Sequence, residues 1–243
     1  MARDTALLAR AARTGETVFS VYGWERPTLS LGRNQPANGR YDLNRIRAAD
    51  VDIVRRPTGG RAILHHREAT YSVTAPLEPK DSLRETYGRI NHILVSGLAR
   101  LGIRASFAAP KLRASAPSTR PCFETPAEGE LVADGRKLVG SAQWRDEDAL
   151  LQHGSILIEN DQGSLAGFAA NADEIERDSL PNPATLTDLM GYAPALEEIA
   201  TAMFGAVREL VDPAAAEMPE QEIRDLALAE VPHFLDDNWT WRR

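Results

Sequence analysis

A Gly-Gly pair set among arginines is the first stretch of this sequence that could do chemistry. It lies in RRPTGGR, where Arg56 and Arg61 flank Thr58, Gly59 and Gly60. Arginine forks suit carboxylate or phosphate oxygens, and glycines let backbone N–H groups approach an anion closely. The same pair suits a two-residue hairpin turn, because glycine tolerates positive φ at both turn positions. The stretch predicts either a turn alone or a turn that also binds an anionic group.

A lysine followed by small residues is the second such stretch. In DGRKLVGSAQWR, Lys137 precedes Gly140, Ser141 and Ala142. Small residues inside a strand often mark the close approach of a ligand or of another backbone. A surface lysine beside a tight turn is the alternative interpretation.

A histidine and the single cysteine complete the set of candidates. His153 and Gly154 lie in the apolar stretch LLQHGSIL, where a histidine is either a hydrogen-bonded core residue or a substrate contact. Cys122 lies in RPCFETP, a Pro-rich stretch without core periodicity, and Arg120 is two residues away. Nearby cations make a thiol nucleophilic, whereas a buried cysteine is an inert small hydrophobe. Both interpretations of Cys122 stay open on this segment alone.

The elements that must position these residues follow from periodicity and turn signals. Apolar spacing predicts a helix over residues 2–14 and another over Ser82–Leu101, capped by Ser82. Further helices are predicted around residues 44–49, 195–210 and 221–231. Alternation and turn residues predict the strands 18–22, 28–31, 51–55, 62–64, 69–75, 130–133, 137–144 and 149–158.

The order of these elements indicates one fold class. Strands dominate the first two-thirds and helices the ends, which predicts an α+β fold with a mixed, largely antiparallel sheet flanked by helices. We expect one domain over residues 1–243, with a helical C-terminal segment from about residue 164. The Pro-rich stretch 108–129 is predicted to be a long loop, and loops of that length are usually functional or disordered.

Composition excludes several classes of function. The net charge of −7 over 243 residues argues against nucleic acid as the main partner, because duplex binding needs a dominant basic face. No apolar run approaches the ~18 residues that a membrane span needs. One cysteine allows no internal disulfide, which suits a reducing cytoplasm. We therefore expect a cytoplasmic protein without nucleic-acid or membrane partners.

Taken together, these stretches resemble the lipoate–protein ligase A and octanoyltransferase group of the biotin/lipoate ligase superfamily. The resemblance covers about two-thirds of the chain in the family's order. It is carried by TALLARA, VYGWERPTLSLGRNQ (Val21–Gln35), RRPTGGRAILHHREATYS (Arg55–Ser72), CFETPAEGELVADGRKLVGSAQ (Cys122–Gln143) and LQHGSIL (Leu151–Leu157).

The resemblance implies a biotin/lipoate ligase-like catalytic domain in which a tunnel holds a medium-length acyl chain. It implies that Lys137 contacts the activated acyl carbonyl, and it implies no bound metal for catalysis by transfer. The substrate-binding residues that it implies are Arg56, Thr58, Gly59, Gly60, Arg61, His65, Gly140, Ser141, Ala142, His153 and Gly154.

The sequence departs from the family pattern in three places. Ala69 stands where the family often has Leu, and Gly129 lies where an aromatic is usual nearby. Both differences could alter the tunnel or the loop. The family's short strand before the first helix has no counterpart here, so we expect either that this edge strand is missing or that the start lies upstream.

The superfamily divides by how the acyl group is activated. Ligases form an acyl-adenylate from ATP and commonly carry a sizeable C-terminal domain, whereas only about 85 residues follow the last predicted strand here. Cys122 lies fifteen residues before Lys137, as in the octanoyltransferases of Gram-positive type. These features favour a transferase. The alternatives are an ATP-dependent lipoate–protein ligase and a non-catalytic protein that binds an acyl chain or a lipoyl domain.

The resemblance then implies a mechanism and its partners. Cys122 would take an octanoyl (or lipoyl) group from octanoyl acyl carrier protein as a thioester. A lysine of a lipoyl domain or of the glycine cleavage H protein would then attack that thioester. No cofactor is expected for a transferase, and ATP with Mg²⁺ is expected for a ligase. No residue is clearly the base that takes the proton of the lysine amine, and Lys137 is a weak candidate.

Overall fold

A computed structural model of the chain describes residues 1–78, 80–109, 129–170 and 182–242. Cys122 lies outside these residues, as does most of the stretch predicted to be a long loop. The strands are β1 (Val18–Tyr22), β2 (Thr28–Leu31), β3 (Asp52–Arg55), β4 (Ile63–His65), β5 (Glu68–Pro76), β6 (Ser106–Phe107), β7 (Leu131–Ala133), β8 (Arg136–Asp146) and β9 (Ala149–Leu157).

Helices lie between and after these strands. They are α1 (Ala2–Thr14), α2 (Leu43–Ala48), α3 (Leu83–Arg100), α4 (Ser164–Gly167), α5 (Leu186–Met190), α6 (Leu196–Leu210), α7 (Glu220–Leu228), α8 (Val231–Leu235) and α9 (Asp237–Thr240). The prediction of an α+β fold with a largely antiparallel sheet is confirmed. In the part of the chain that the structure describes, no helix combines the length and the apolar character needed to cross a membrane.

The larger sheet has six strands in the order β1-β5-β9-β8-β7-β6, and every neighbouring pair is antiparallel. Its two central strands are β9 and β8. The neighbouring strands β5 and β9 are each nine residues long and buried along most of their length. The β8–β9 register places Ser141 opposite Gly154 and Ala142 opposite His153. Two of the stretches singled out in the sequence are therefore direct neighbours in one sheet.

The smaller sheet has three strands in the order β3-β2-β4, with β2 parallel to β3 and antiparallel to β4. The strands on either side of the Gly-Gly pair, β3 and β4, are not partners, because β2 lies between them. The interpretation of Gly59-Gly60 as a hairpin turn is therefore wrong. Residues 56–62 form an irregular segment, here called the crossing loop, that passes over the end of β2.

The crossing loop can pass there because Gly32, directly after β2, has no side chain. A Cβ atom on Gly32 would lie only 1.9 Å from the carbonyl oxygen of Gly60. That separation is far inside van der Waals contact, so only glycine allows the two backbones to approach this closely. Gly32, which directly follows the second predicted strand, thus makes room for the Gly-Gly segment that comes later in the sequence.

Helices cover both faces of the larger sheet. One face packs against α3 and α6, and its core includes the fully buried Tyr71, Leu94 and Met203. The opposite face packs against α1, where Leu8 contacts the alternate residues of β9. Because side chains alternate along a strand, His153 shares this second face with Ala149 and Leu151. The site described below lies at this face.

A buried arginine joins the smaller sheet to the C-terminal helices. Arg55, at the end of β3, is fully buried and its guanidinium donates only to backbone carbonyls in the described part of the chain. The acceptors are Gly32 at 2.5 Å, Gln35 at 2.8 Å, Thr240 at 2.9 Å, Arg33 at 3.2 Å and Arg242 at 3.3 Å. Arg55 thereby fixes residues 32–35 and 240–242 against each other.

Candidate active site

A cavity opens between the larger sheet and the crossing loop. It contains about 420 Å³ of space free of atoms, part of which is open to solvent. Eight residues singled out in the sequence line it, namely Arg56, Gly60, His65, Gly140, Ser141, Ala142, His153 and Gly154. Four separate stretches of sequence therefore meet around one space.

Four other predicted residues, all within the described part of the chain, do not line this cavity. Thr58, Gly59 and Arg61 lie on the crossing loop beside it, and Thr58 contacts the lining residue His153. The amino group of Lys137 is instead directed at Glu130. Cys122 lies outside the residues that the structure describes.

Arg56 holds the crossing loop by its carbonyl groups. Its guanidinium donates to the Gly59 carbonyl from two nitrogens, at 2.8 and 3.1 Å, and to the Arg61 carbonyl at 2.7 Å. The remaining nitrogen donates to the carbonyl and hydroxyl of Ser30 at 3.2 and 3.0 Å. Arg56 therefore gives positive charge to the cavity wall, while its N–H groups donate to the Gly59, Arg61 and Ser30 oxygens.

Unlike its carbonyl groups, two amide groups of the crossing loop are not hydrogen-bonded to the described part of the protein. Among the described residues, neither the Gly59 nor the Gly60 N–H donates a hydrogen bond to the protein. Gly60 has φ of 97°, and a Cβ atom there would lie 2.7 Å from the Arg56 guanidinium. Glycine is thus needed at this position for conformation and for space. Two N–H donors beside a buried guanidinium form a local environment suited to an anionic oxygen.

Small residues bring β8 and β9 together at the opposite wall. A Cβ atom on Gly154 would lie 2.3 Å from the Gly140 carbonyl oxygen and 2.8 Å from the Tyr71 ring. The Tyr71 hydroxyl donates to the Ser141 hydroxyl at 2.7 Å and accepts from Gln152 at 2.8 Å. Burial raises the pKa of Tyr71, so its hydroxyl stays protonated and able to donate. The sequence predicted that a ligand or another backbone approaches these small residues closely. Here the approaching group is the backbone of the neighbouring strand, at the edge of the cavity.

His153 belongs to a buried chain of hydrogen bonds. Its Nδ1 lies 2.8 Å from the Asp4 carboxylate and its Nε2 lies 2.6 Å from the Thr58 hydroxyl. The Tyr22 hydroxyl donates to both Asp4 oxygens, at 3.0 and 2.9 Å. Burial lowers the pKa of His153, and the Asp4 carboxylate offsets this effect only in part. His153 is therefore a neutral imidazole at pH 7.

His65 forms a second chain on the other side of the cavity. Its Nδ1 lies 2.8 Å from Glu68 Oε1, and its Nε2 lies 2.8 Å from the Ser30 hydroxyl. The Trp24 ring stacks on the imidazole with centroids 4.3 Å apart, and its Nε1 donates to Thr70 at 2.8 Å. Thr70 in turn donates to the same Glu68 oxygen. The ring of His65 is thus fixed in orientation by contacts on both nitrogens and on its face.

Lys137 lies in a buried ion pair. Its Nζ is 2.7 Å from Glu130 Oε1, and the two side chains are 2% and 9% exposed. Glu130 directly follows Gly129, the first described residue after positions 110–128. The Gly129 carbonyl accepts a hydrogen bond from the Asn91 side chain at 2.9 Å. Lys137 is therefore paired with a residue that closely follows, in sequence, the stretch containing Cys122.

Several residues of the site were not predicted from the sequence. Ile63, Thr70 and Ser155 line the cavity, and Asp4, Glu68 and Glu130 pair with the predicted residues. Strand alternation could have indicated Thr70 and Ser155, because both share a face with His153. Asp4 had no such signal, since an acidic residue in the first turn of a helix is ordinary. Within the described residues no three His, Cys, Asp or Glu side chains cluster as metal ligands would.

The fold and this cavity define a class of protein: an α+β catalytic domain with a cationic, glycine-rich cavity between two sheets. Residues 1–208 match the family described as the lipoyl protein ligase A/B catalytic domain, and the chain belongs to that family. The resemblance noted in the sequence is thereby confirmed.

Relatives with known names match over long stretches. The chain is 37% identical to octanoyltransferase LipM of Kyrpidia tusciae over 262 residues, which covers 100% of this chain and 94% of the relative. It is 37% identical to octanoyltransferase LipM of Bacillus subtilis over 174 residues, covering 68% of this chain and 63% of that one. The similarity to the first of these extends through the C-terminal helices.

Solved structures share the fold at lower identity. A bipartite lipoate protein ligase of Thermoplasma acidophilum, studied with its E2 lipoyl domain, has a TM-score of 0.76 at 19% identity, covering 99% of this chain and 89% of that one. Lipoate-protein ligase A bound with ATP has a TM-score of 0.74 at 18% identity, covering 99% of this chain and 92% of that one. These likenesses show that the chain has the fold of the lipoate protein ligases.

Proposed function

We propose that this chain is an octanoyltransferase that transfers an octanoyl group to a lysine of a lipoyl domain. The observation that carries the proposal is the similarity over the whole chain to a protein named octanoyltransferase, at 37% identity. The cavity supports it, because small residues of β8 and β9 meet the Arg56 guanidinium there, together with a Gly60 amide that donates to no other described residue. The protein is accordingly an acyltransferase in this proposal, with residues 1–243 forming one catalytic domain.

The reaction takes two steps of nucleophilic catalysis. The Cys122 thiolate attacks the carbonyl carbon of the donor thioester, a new C–S bond forms, the C–S bond to the carrier protein breaks, and the carrier leaves as a thiolate that takes a proton from solvent. The lysine amine of the acceptor then attacks the acyl-cysteine. An amide bond forms, the C–S bond to Cys122 breaks, and the amine proton passes to solvent or to the departing thiolate. No oxidant and no ATP is consumed.

The described residues have distinct roles in this proposal. The Lys137 ammonium stabilises the negative oxygen that develops at each tetrahedral stage, because a fixed cation acts strongly in a water-poor site. The Gly59 and Gly60 amides offer hydrogen bonds to an oxygen of the acyl or carrier group. Lys137 is not assigned as the base in this proposal, because its Nζ is directed at Glu130 Oε1, 2.7 Å away.

The partners follow from the same proposal. The donor is octanoyl acyl carrier protein, and the acceptor is a lipoyl domain or the glycine cleavage H protein. The structural relative from T. acidophilum was studied with an E2 lipoyl domain, which supports an acceptor of this kind. The transferase needs neither ATP nor Mg²⁺.

Intact-protein mass spectrometry tests the proposal. The purified chain is mixed with octanoyl acyl carrier protein without ATP, and one octanoyl adduct is expected that hydroxylamine removes, as it does from thioesters. The sequence contains one cysteine, so a thioester identifies Cys122 without further mapping. Adding a lipoyl domain should then discharge the adduct and modify the domain.

The matched control is Cys122→Ser, which changes one atom. This variant should form no hydroxylamine-sensitive adduct and should not modify the lipoyl domain. Transfer by Cys122→Ser at the wild-type rate would refute the proposed route. Modification of the domain only from free acid with ATP and Mg²⁺ would identify a lipoate–protein ligase instead.

A further inference from the structure

Three residues that the proposed reaction does not use as reacting groups form one buried chain. Asp4 comes from α1, His153 from β9 and Thr58 from the crossing loop. The Asp4 and His153 atoms are 2.8 Å apart, and the His153 and Thr58 atoms are 2.6 Å apart. Asp4 and Thr58 have no exposed surface and His153 is 5% exposed. Solvent therefore does not compete for either hydrogen bond.

The charges of the chain decide the direction of both hydrogen bonds. Burial alone would raise the pKa of Asp4, but hydrogen bonds from His153 and Tyr22 and nearby positive charge bring that pKa below its ordinary value. Asp4 is then a carboxylate, which only accepts. His153 is neutral, so its one N–H must be at Nδ1, facing Asp4. Its Nε2 consequently carries a lone pair and accepts from the Thr58 hydroxyl.

We propose that Asp4 is a positioning residue of the transfer reaction: it fixes His153 as the Nδ1–H tautomer, and His153 in turn holds Thr58 and the crossing loop in place. The role rests on the proposed octanoyl transfer. It follows the logic by which a buried carboxylate selects a histidine tautomer in other enzymes, although here the histidine acts on a loop and takes no substrate proton.

The crossing loop needs such a link to the larger sheet. Arg56 holds its carbonyls toward the smaller sheet, and the Arg33 amide donates to the Thr58 carbonyl at 2.7 Å. The Thr58 hydroxyl bonds instead to β9, across the cavity wall. Thr58 directly precedes Gly59 and Gly60, whose amides donate to no other described residue. Its side chain therefore sets where these two amides lie relative to β8 and β9. A misplacement of about 1 Å in such a site costs on the order of 10²-fold in rate.

The tautomer is the first test. Protein labelled with ¹⁵N-histidine is studied by long-range ¹H–¹⁵N NMR at pH 7, and His153→Gln assigns the signals of this ring. The wild type should show His153 protonated at Nδ1 alone. Asp4→Asn should move the proton to Nε2, because an amide can donate to Nδ1. A wild-type ring protonated at Nε2, or at both nitrogens, would overturn the inference.

Kinetics with the natural partners is the second test. Asp4→Asn and Thr58→Val should each lower kcat about 10- to 100-fold and kcat/KM by the same factor, with little change in KM. The double variant should be no slower than the slower single variant, because both changes break one chain. Effects that multiply would show that Asp4 and Thr58 act separately, which contradicts the inference.

A conservative pair keeps the test decisive if the Asp4 variant does not fold. Thr58→Ser keeps the hydroxyl and should be at least tenfold faster than Thr58→Val, which keeps the size and loses the hydroxyl. Equal rates for these two variants, with an active wild type, would refute the role of the chain. A wild type that transfers no octanoyl group would instead refute the proposed function, and the tautomer measurement would still report on Asp4 and His153.

Discussion

The buried pair of Lys137 and Glu130 allows a catalytic role to be separated from a structural one. We consider Lys137→Met, Glu130→Leu and the double variant, because each substitution roughly preserves side-chain volume. The pair is 2.7 Å apart and almost excluded from water. A single substitution therefore leaves one charged group buried without its ion-pair partner, whereas the double variant leaves none.

The expected magnitudes follow from that geometry. Breaking a buried ion pair costs about 3–5 kcal/mol, whereas replacing both partners with apolar residues is often neutral or stabilising. For a chain of this size, each kcal/mol shifts Tm by about 2–4 °C. Each single variant should therefore melt roughly 6–20 °C below the wild type, and the double variant should melt close to it.

Calorimetry and single-turnover transfer are measured on the same samples, below the Tm of the least stable variant. If Lys137 stabilises the developing oxyanion, the double variant should regain its Tm and still transfer on the order of 10²–10³-fold more slowly. A double variant that regains both stability and transfer would show that Lys137 matters only as the partner of Glu130. An alanine substitution of Lys137 alone could not separate these outcomes.

Two further predictions concern the cavity wall. Gly154→Ala should lower Tm by roughly 2–12 °C, because its methyl group would lie 2.3 Å from the Gly140 carbonyl and overpacking costs about 1–3 kcal/mol. Gly59→Ala, whose Cβ atom would meet nothing within 4 Å, is the matched control, and equal melting of the two variants would contradict the contact. The lowered pKa of His153 means that the unfolded chain binds its proton first, so this contribution to stability is full above about pH 6.5 and declines as the pH falls below it. Asp4, whose pKa is also lowered, keeps its contribution until the pH falls below about 4. Urea unfolding between pH 5 and 7.5 should therefore show a decline toward acid that His153→Gln flattens, and an unchanged slope in that variant would refute the assignment.

Local signals in the sequence predicted the elements well. Ser82 caps α3 through the amide of Glu85 as expected, and Asp134-Gly135 forms the turn between β7 and β8 with positive φ at both residues. These features depend on neighbours within a few positions, so spacing and residue type suffice. The strands that contribute residues to the cavity wall were likewise predicted from the sequence.

Long-range pairing accounts for what the sequence did not predict. The division into two sheets depends on β2 lying between β3 and β4. The residues of a short apolar strand do not indicate which strand it pairs with. The resemblance indicated that Lys137 contacts a carbonyl, but its pairing with Glu130 is set by the fold. The contact of Asp4 with His153 could not be predicted for the same reason, because 149 residues separate the two in sequence.

Two hydrogen bonds of Arg55 can form only late in synthesis, because their acceptors lie far along the chain. Its acceptors at Thr240 and Arg242 leave the ribosome 185 residues or more after it does. At about 5–20 residues per second, that delay is roughly 10–40 s. Until then the guanidinium lacks part of its carbonyl shell and keeps contact with water. Arg55 can bind the carbonyls of residues 32–35 as soon as they and Arg55 are made, whereas its bonds to Thr240 and Arg242 wait for those residues.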